Sequence, residues 1–578
     1  MNRKNLELMI DMAAGRIQAD FLITNCRLVD VFNQRLFNGP LALGAGKIVG
    51  WGPDYQARKT LDAQGGIVMP GLIDGHVHIE SSSLTPAQFA RLILPFGTTT
   101  IIADPHEIAN VLGLGGIRYM LEASRGLPLD VRIMLPSCVP ATPLEKAGAV
   151  LTAEDLETLI GEPGVWGLGE VMDYPGVISH AEGVVKKIMM ARKHCLVIDG
   201  HSPGVTGRDL MAYAAAGIHT DHECVRVDEM LERISLGQYA LMRLGSSAND
   251  LKNLAAGVTP ANARRCVFCT DDREAADIMA GGHINKLLRQ AVAVGLEPLL
   301  AVSLATVNAA ECFGLKGKGA LAPGWDADLV IVSDLKDFEV QRVFVAGREV
   351  ARDGRLTVEI EDHVPETVLN TVHLPLLDEK SFRLPLRTAK VRAMEIIPNS
   401  LLTKSRVVEV VRDAEGCFDP RLNPGLTKLA VIERHRASGL LGLGVLAGYG
   451  LQGGAVAASV SHDSHNLIVA GDNDRDMLSA VREVERLGGG YCIVARGQVV
   501  AALALPVAGL MSDRPAGEVA QGLEKIIAAA HGELKLPDTF HPLVNLIFLA
   551  LPVIPELKLT AEGLFDVTSF SPVELCVD

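Results

Sequence analysis

The sequence lacks a cysteine framework. Ten cysteines are scattered over 578 residues, and with no export signal they read as reduced thiols packed in a core. Cys266 and Cys269 form a C-x-x-C, but in a run, Cys-Val-Phe-Cys-Thr, that reads as a strand and turns the two thiols to opposite faces. Membrane-length apolar runs are also missing: the most apolar late stretch, Leu543 to Leu557, is broken by Asn545 and two prolines and reads as a buried element. There is no excess of positive charge. With 54 basic against 69 acidic residues the formal charge is −15, which argues against a nucleic-acid polymer or an anionic membrane as partner. The opening segment, Met1 to Asp20, mixes Arg3, Lys4, Glu7 and Asp11 into an amphipathic helical pattern rather than a signal peptide, so a cytoplasmic location is expected. Low-complexity tracts and internal repeats are absent as well.

What is present is a folded composition, 48% hydrophobic and 21% charged, long enough for a large barrel with satellites. The first seventy or so residues hold short β-like runs, Asp20 to Val31 and Leu41 to Gly50, which make residues 1–66 the first part of a β-sandwich. From 67 to 318 short apolar strands alternate with helical stretches such as Pro86 to Leu94, the pattern of an α/β fold and, with eight strands, of a (β/α)8 TIM-like barrel. The strand candidates are Ile67 to Glu80, Thr98 to Glu107, Val131 to Ser137, Val165 to Asp173, Leu196 to His201, Ile218 to Glu223, Tyr239 to Ser246 and Cys266 to Asp272. Residues 319–358 return to β-runs that complete a composite β-sandwich, 359–380 reads as a linker, and 381–578 as a C-terminal α/β domain.

Most of these strands end in ionisable residues, and the C-terminal strand ends are where such a barrel carries its chemistry. Alternation along a strand puts His76 and His78 on one face, able to grip one metal ion. Glu170, His201, His222 and Asp271 stand at four further strand ends. An H-x-H triplet alone fits hydrogen-bonded core histidines better than a metal site. Six competent ligands on one rim do not arise readily by independent placement.

These residues carry a resemblance. Pro70-Gly-Leu-Ile-Asp-Gly-His-Val-His-Ile-Glu-Ser-Ser resembles the opening metal motif of the amidohydrolase superfamily, and the later His, His and Asp follow its order. The resemblance implies that His76, His78 and Asp271 hold one divalent metal, that His201 and His222 hold a second, and that Glu170 bridges them where many members use a carboxylated lysine. Within the superfamily, His78-Ile-Glu-Ser-Ser, Ala103-Asp-Pro-His-Glu-Ile-Ala-Asn, Asp221-His-Glu, Asp271-Asp-Arg and the late Ser461-His-Asp-Ser-His-Asn are similar to adenine deaminases.

The resemblance implies a small-molecule substrate, adenine, converted to hypoxanthine and ammonia by a metal-bridging hydroxide that attacks C6. Asp271 would move the proton. Manganese is the favoured cofactor, with Fe2+ or Zn2+ also suited to these ligands. Ring protonation needs nearby acids and donors, for which Asp104, His106 and Glu107 are the candidates, with a helix-capping cluster as the alternative. Glu80, Arg243, Asp272 and His283 are weaker candidates for substrate contacts, with solvated or structural roles as the alternative. His462, Asp463 and His465 fit a metal site, a hydrogen-bonded turn or a lid over the barrel mouth. Hydrolysis of a cyclic amide or N-acyl substrate by the same metal pair is the competing reaction. The pattern fixes no oligomeric state, and a homo-oligomer covering the apolar late stretch is compatible with it.

Overall fold

A computed structural model describes residues 3–142, 145–246, 248–398 and 400–577. Met1 and Asn2, the start of the expected N-terminal helix, lie outside the described residues, and the helix itself runs Arg3–Ala13. No described helix is long and apolar enough to cross a membrane.

Eight parallel strands form the central layer: β1 (Leu72–Val77), β2 (Thr98–Ala103), β3 (Asp130–Leu135), β4 (Val165–Val171), β5 (Val197–Gly200), β6 (Thr220–Asp221), β7 (Tyr239–Arg243) and β8 (Cys266–Cys269). Most are short and buried on both faces, as expected of parallel strands covered by helices. They pair as a curled five-stranded sheet, β5-β4-β3-β2-β1, and a three-stranded sheet, β6-β7-β8. The eight strands thus form a distorted, TIM-barrel-like arrangement that pairs as two sheets. One seam is held by a single parallel bridge, Val77 to Asp271. At the other, β6 is only two residues long, and the seam is joined by the His219 N–H donating to the Ile198 carbonyl at 2.9 Å and the Gly200 N–H donating to the Thr220 hydroxyl at 3.0 Å. Only glycine fits there, since a Cβ on Gly200 would lie 2.1 Å from the Thr220 carbonyl oxygen.

The run Ile67 to Glu80, read as one strand, is two. Ile67–Pro70 pairs antiparallel with Leu329–Val332 in a seven-stranded flanking sheet, and the chain then passes Gly71 into β1. The same sheet takes Arg27–Asp30 and Val340–Val345, so strands from before and after the barrel share it. It packs on a four-stranded sheet through Ile23, Leu28, Leu43, Ile48, Val68 and Phe344.

Beyond residue 380 an eight-stranded sheet, antiparallel except for one pair, runs from Thr403–Glu409 at one edge to Gln498–Ala504 at the other. Its central strand Leu426–Ile432 shows why it is covered on both sides. Ala430 and Ile432 pack under helix Asp474–Arg486, while Leu429 and Val431 face the large core continuous with the barrel. The apolar stretch Leu543 to Leu557 folds into helix Pro542–Ile547, a 3-10 turn and the start of a strand, with Leu543, Leu546 and Leu549 buried by this chain itself. That removes the reason for expecting an assembly to cover it.

Candidate active site

His76 and His78 leave the end of β1 on one side, as their two-residue spacing requires. His76 Nδ1 lies 2.8 Å from Asp199 Oδ2, and His78 Nδ1 lies 2.9 Å from the Asp104 carbonyl oxygen. Both partners only accept, so each Nδ1 donates its hydrogen and each Nε2 is left with a lone pair. Those two Nε2 atoms face each other at 3.1 Å. Glu170 Oε1 and Asp271 Oδ1 stand 3.2 and 3.4 Å from His78 Nε2. Four electron-rich atoms thus converge in a buried place, and a divalent cation fits that donor set.

The second oxygen of Glu170 turns the other way, 2.7 Å from His201 Nδ1 and 3.4 Å from His222 Nε2. Glu170 therefore presents one oxygen to each histidine pair. His222 Nδ1 is buried with no hydrogen-bond partner among the described residues. Asp271 follows β8 with φ +58°, a left-handed conformation that aspartate adopts more readily than most side chains, and its N–H donates to the His76 carbonyl at 2.9 Å. Arg243 at the end of β7 donates to Asp271 Oδ2 at 3.0 Å and also grips Glu223 and Asp250.

Asp104 supports this cluster from behind, its Oδ2 accepting the Glu170 N–H at 2.9 Å. His106 opens helix His106–Leu112, with Nδ1 3.4 Å from Glu170 Oε1 and Nε2 3.4 Å from Glu107 Oε1. Glu107 is met from the far end of the chain: His462 Nδ1 lies 2.7 Å from its Oε1, and His465 Nε2 bonds its Oε2. Burial opposes ionisation of Glu107, yet His462, His465 and His106 hold its carboxyl well below the usual carboxylate range. Burial lowers His465 to about 4, keeping it neutral. His462 is buried too, but Glu107 lifts it to about 9. The C-terminal sheet therefore reaches the site.

Beside the ligands lies a cavity lined by Glu80, Ser81, Asp272, His462, Ile547 and Phe548, among others. Glu80 Oε1 accepts the Ile108 N–H at 3.2 Å, Oε2 has no hydrogen-bond partner among the described residues, and burial pushes the carboxyl up to about 7. Asp272 accepts from Ser81. Asp104, Arg243 and His283 are not among the lining residues. His283 is buried against Thr98 Oγ1 at 2.8 Å and Asp74 at 3.3 Å. Asp463 is buried, and its Oδ2 has no hydrogen-bond partner among the described residues.

Residues 67–350 match the amidohydrolase family, and residues 400–571 match the adenine deaminase C-terminal domain. An adenine deaminase of Nitratidesulfovibrio vulgaris (Hildenborough) is 57% identical over 569 residues, covering 98% of both chains. The chain belongs to the adenine deaminase family. Adenine deaminase 2 of Desulfotalea psychrophila is 44% identical over 575 residues, covering 100% of both chains, and the adenine deaminase of Geobacillus kaustophilus is 46% identical over 575 residues, covering 98% of this chain and 99% of its own. Family membership together with the clustered ligands makes this member of the adenine deaminase family a metal-site hydrolase.

Two carboxylates at the site were missed in the sequence. Asp199 shares the parity of His201 on β5, so alternation along the strand was a usable signal. Glu223 shares the parity of Asp221, but nothing in the sequence distinguishes it from a solvated acid at a strand end.

Proposed function

We propose that this chain hydrolyses adenine to hypoxanthine and ammonia. The observation that carries the reading is Glu170, which turns one oxygen to His76 and His78 and the other to His201 and His222, at the edge of a small polar cavity. His76, His78 and Asp271 would hold one divalent ion and His201 and His222 the other, with Glu170 shared; manganese is favoured, ferrous iron or zinc are suited, and such ions supply a water ionised near neutral pH.

The chain's own residues do the rest. Asp271, with Oδ2 held by Arg243, accepts the proton released as oxygen adds to C6. Glu80 and Asp272 offer hydrogen-bonding groups to the purine edge in the cavity. Asp104 keeps Glu170 in place, and His106 and Glu107 stand between the ligand cluster and the C-terminal sheet. Arg243 and His283 support Asp271 and Asp74. We place the working unit in residues 67–318, the composite sandwich in 1–66 and 319–358, the linker in 359–380 and a deaminase-type domain in 381–578, acting on a free base in the cytoplasm.

Protein expressed with added manganese should release ammonia and hypoxanthine from adenine, and Asp271→Asn should abolish it. Wild-type protein, metal-loaded, that turns over a cyclic amide or an N-acyl compound but not adenine would overturn the substrate assignment.

A further inference from the structure

His462 sits in the loop of residues 459–466 between strands Gly454–Ala458 and Leu467–Gly471, yet it lines the cavity beside Glu80 and Asp272. Three contacts fix its ring. Nδ1 is 2.7 Å from Glu107 Oε1, the face stacks on Phe548 with centroids 4.3 Å apart and planes 10° from parallel, and the backbone N–H donates to the Ile547 carbonyl at 3.1 Å. The ring nitrogen left without a hydrogen-bond partner among the described residues is Nε2.

Glu107, His462 and His465 bring three ligand-type atoms together, and a third cation would be the obvious occupant. The hydrogen bonding argues otherwise. The Ser461 N–H donates to His465 Nδ1 at 3.2 Å, so in the neutral ring the hydrogen is on Nε2, which donates to Glu107 and has no lone pair for a metal. The loop is also held from behind. Arg434, fully buried, donates to the carbonyls of His465, Thr371 and Ala508, and His435 Nε2 donates to the Ser464 carbonyl at 2.8 Å. Glu107 therefore spends both oxygens on imidazoles. A carboxylate fixed on Nδ1 orients an imidazole and leaves Nε2 as the nitrogen that exchanges protons.

We propose that His462, oriented by Glu107, is a catalytic residue that donates the Nε2 proton to the departing N6 of the substrate. This rests on the adenine reading. In the adduct, with N1 protonated, C6 carries the amino group and the new oxygen, whose proton Asp271 has taken. The C6–N6 bond breaks, its electron pair takes the Nε2 proton, and ammonia leaves as the C6 oxygen becomes a carbonyl. The proton that Asp271 took is handed on to Nε2 by way of solvent, so no other reactant is consumed and both side chains end as they began. Glu107 and His465 are positioning residues for this transfer.

The test is His462→Gln in the full-length, manganese-loaded enzyme, because a glutamine amide can still donate to Glu107 but cannot pass on a proton. The expected result is a fall in kcat of about 100-fold or more with adenine, the size of a lost general acid. Hypoxanthine affinity should stay within roughly threefold and the metal content should match that of wild type. His462→Ala should recover turnover in saturable fashion on adding imidazole. Near-wild-type kcat in the glutamine variant, loss of hypoxanthine binding or metal alongside kcat, or no rescue by imidazole would each overturn the assignment and leave the ring a packing role against Phe548. The wild-type control separates the two readings: no ammonia from adenine in wild type removes the substrate, whereas wild-type turnover with an unaffected glutamine variant removes only His462.

Discussion

Asp199 Oδ2 stands 2.8 Å from His76 Nδ1, on the side of the ring remote from the Nε2 that faces His78. Asp199 is fully buried and is itself fixed by the Thr220 hydroxyl. A carboxylate in that position sets the tautomer and strengthens the other nitrogen as a ligand. Asp199→Ala should weaken divalent-metal affinity by about 10- to 100-fold, measured by competition with a chromogenic chelator. Unchanged affinity would show that His76 needs no such support.

Titration of metal-free protein should saturate at two ions per chain and not three, because the hydrogen on His465 Nε2 closes the Glu107 cluster to a cation. Removing the ions leaves Glu170 and Asp271 buried against imidazole lone pairs, so the chelated protein should melt at a lower temperature. Metal at about 100 times its Kd restores about 2.7 kcal/mol. A third tight equivalent, by calorimetry or elemental analysis, would contradict the tautomer argument.

Gly169 precedes the shared ligand, and a Cβ there would come within 2.2 Å of Asp104 Oδ2, the oxygen that accepts the Glu170 N–H. Gly169→Ala should lower stability by about 1–3 kcal/mol, as overpacking does. Metal binding should suffer more than stability does, since the displaced group is the one that seats Glu170. Adding Asp104→Ala should return the space but not the Glu170 bond, raising Tm without restoring activity; recovery of both would place the defect elsewhere.

Lys558 is fully buried, its ammonium donating to the carbonyls of Leu401 and Phe548 at 3.0 and 3.2 Å, and burial lowers it to about 7 from its ordinary value near 10.5. Between those values the unfolded chain holds a proton that the folded chain has released, so this residue makes stability rise with pH. Relative to Lys558→Met, wild-type protein should gain thermal stability from pH 7 to pH 9. A gap that stays constant or moves the other way would show that the ammonium remains charged in the fold.

The eight central strands were legible because each is a short apolar run between helical stretches, and the ligand rim was legible because strand parity places His76 with His78. Barrel closure was not. It depends on β6, where Ile218 to Glu223 reads as a strand but only Thr220–Asp221 pairs. The chemistry of His462 and His465 could be read from residue type, but their meeting with Glu107 could not. That contact depends on which face of the distant sheet is turned to the barrel, decided by Leu429 and Val431 packing into the shared core. Asp199 falls between these cases, marked by parity but masked by its proximity to a stronger candidate, His201.

Glu107 and His465 are separated by 358 positions along the chain. At the pace of synthesis, roughly 5–20 residues per second, about 20–70 s pass between the emergence of one and the arrival of the other. During that interval the rim of the barrel is exposed with Glu107 unclasped. The nascent protein therefore passes through a stage in which it can gather metal ligands while lacking the imidazoles that clasp Glu107, and only the synthesis of the loop that carries His462 and His465 ends it.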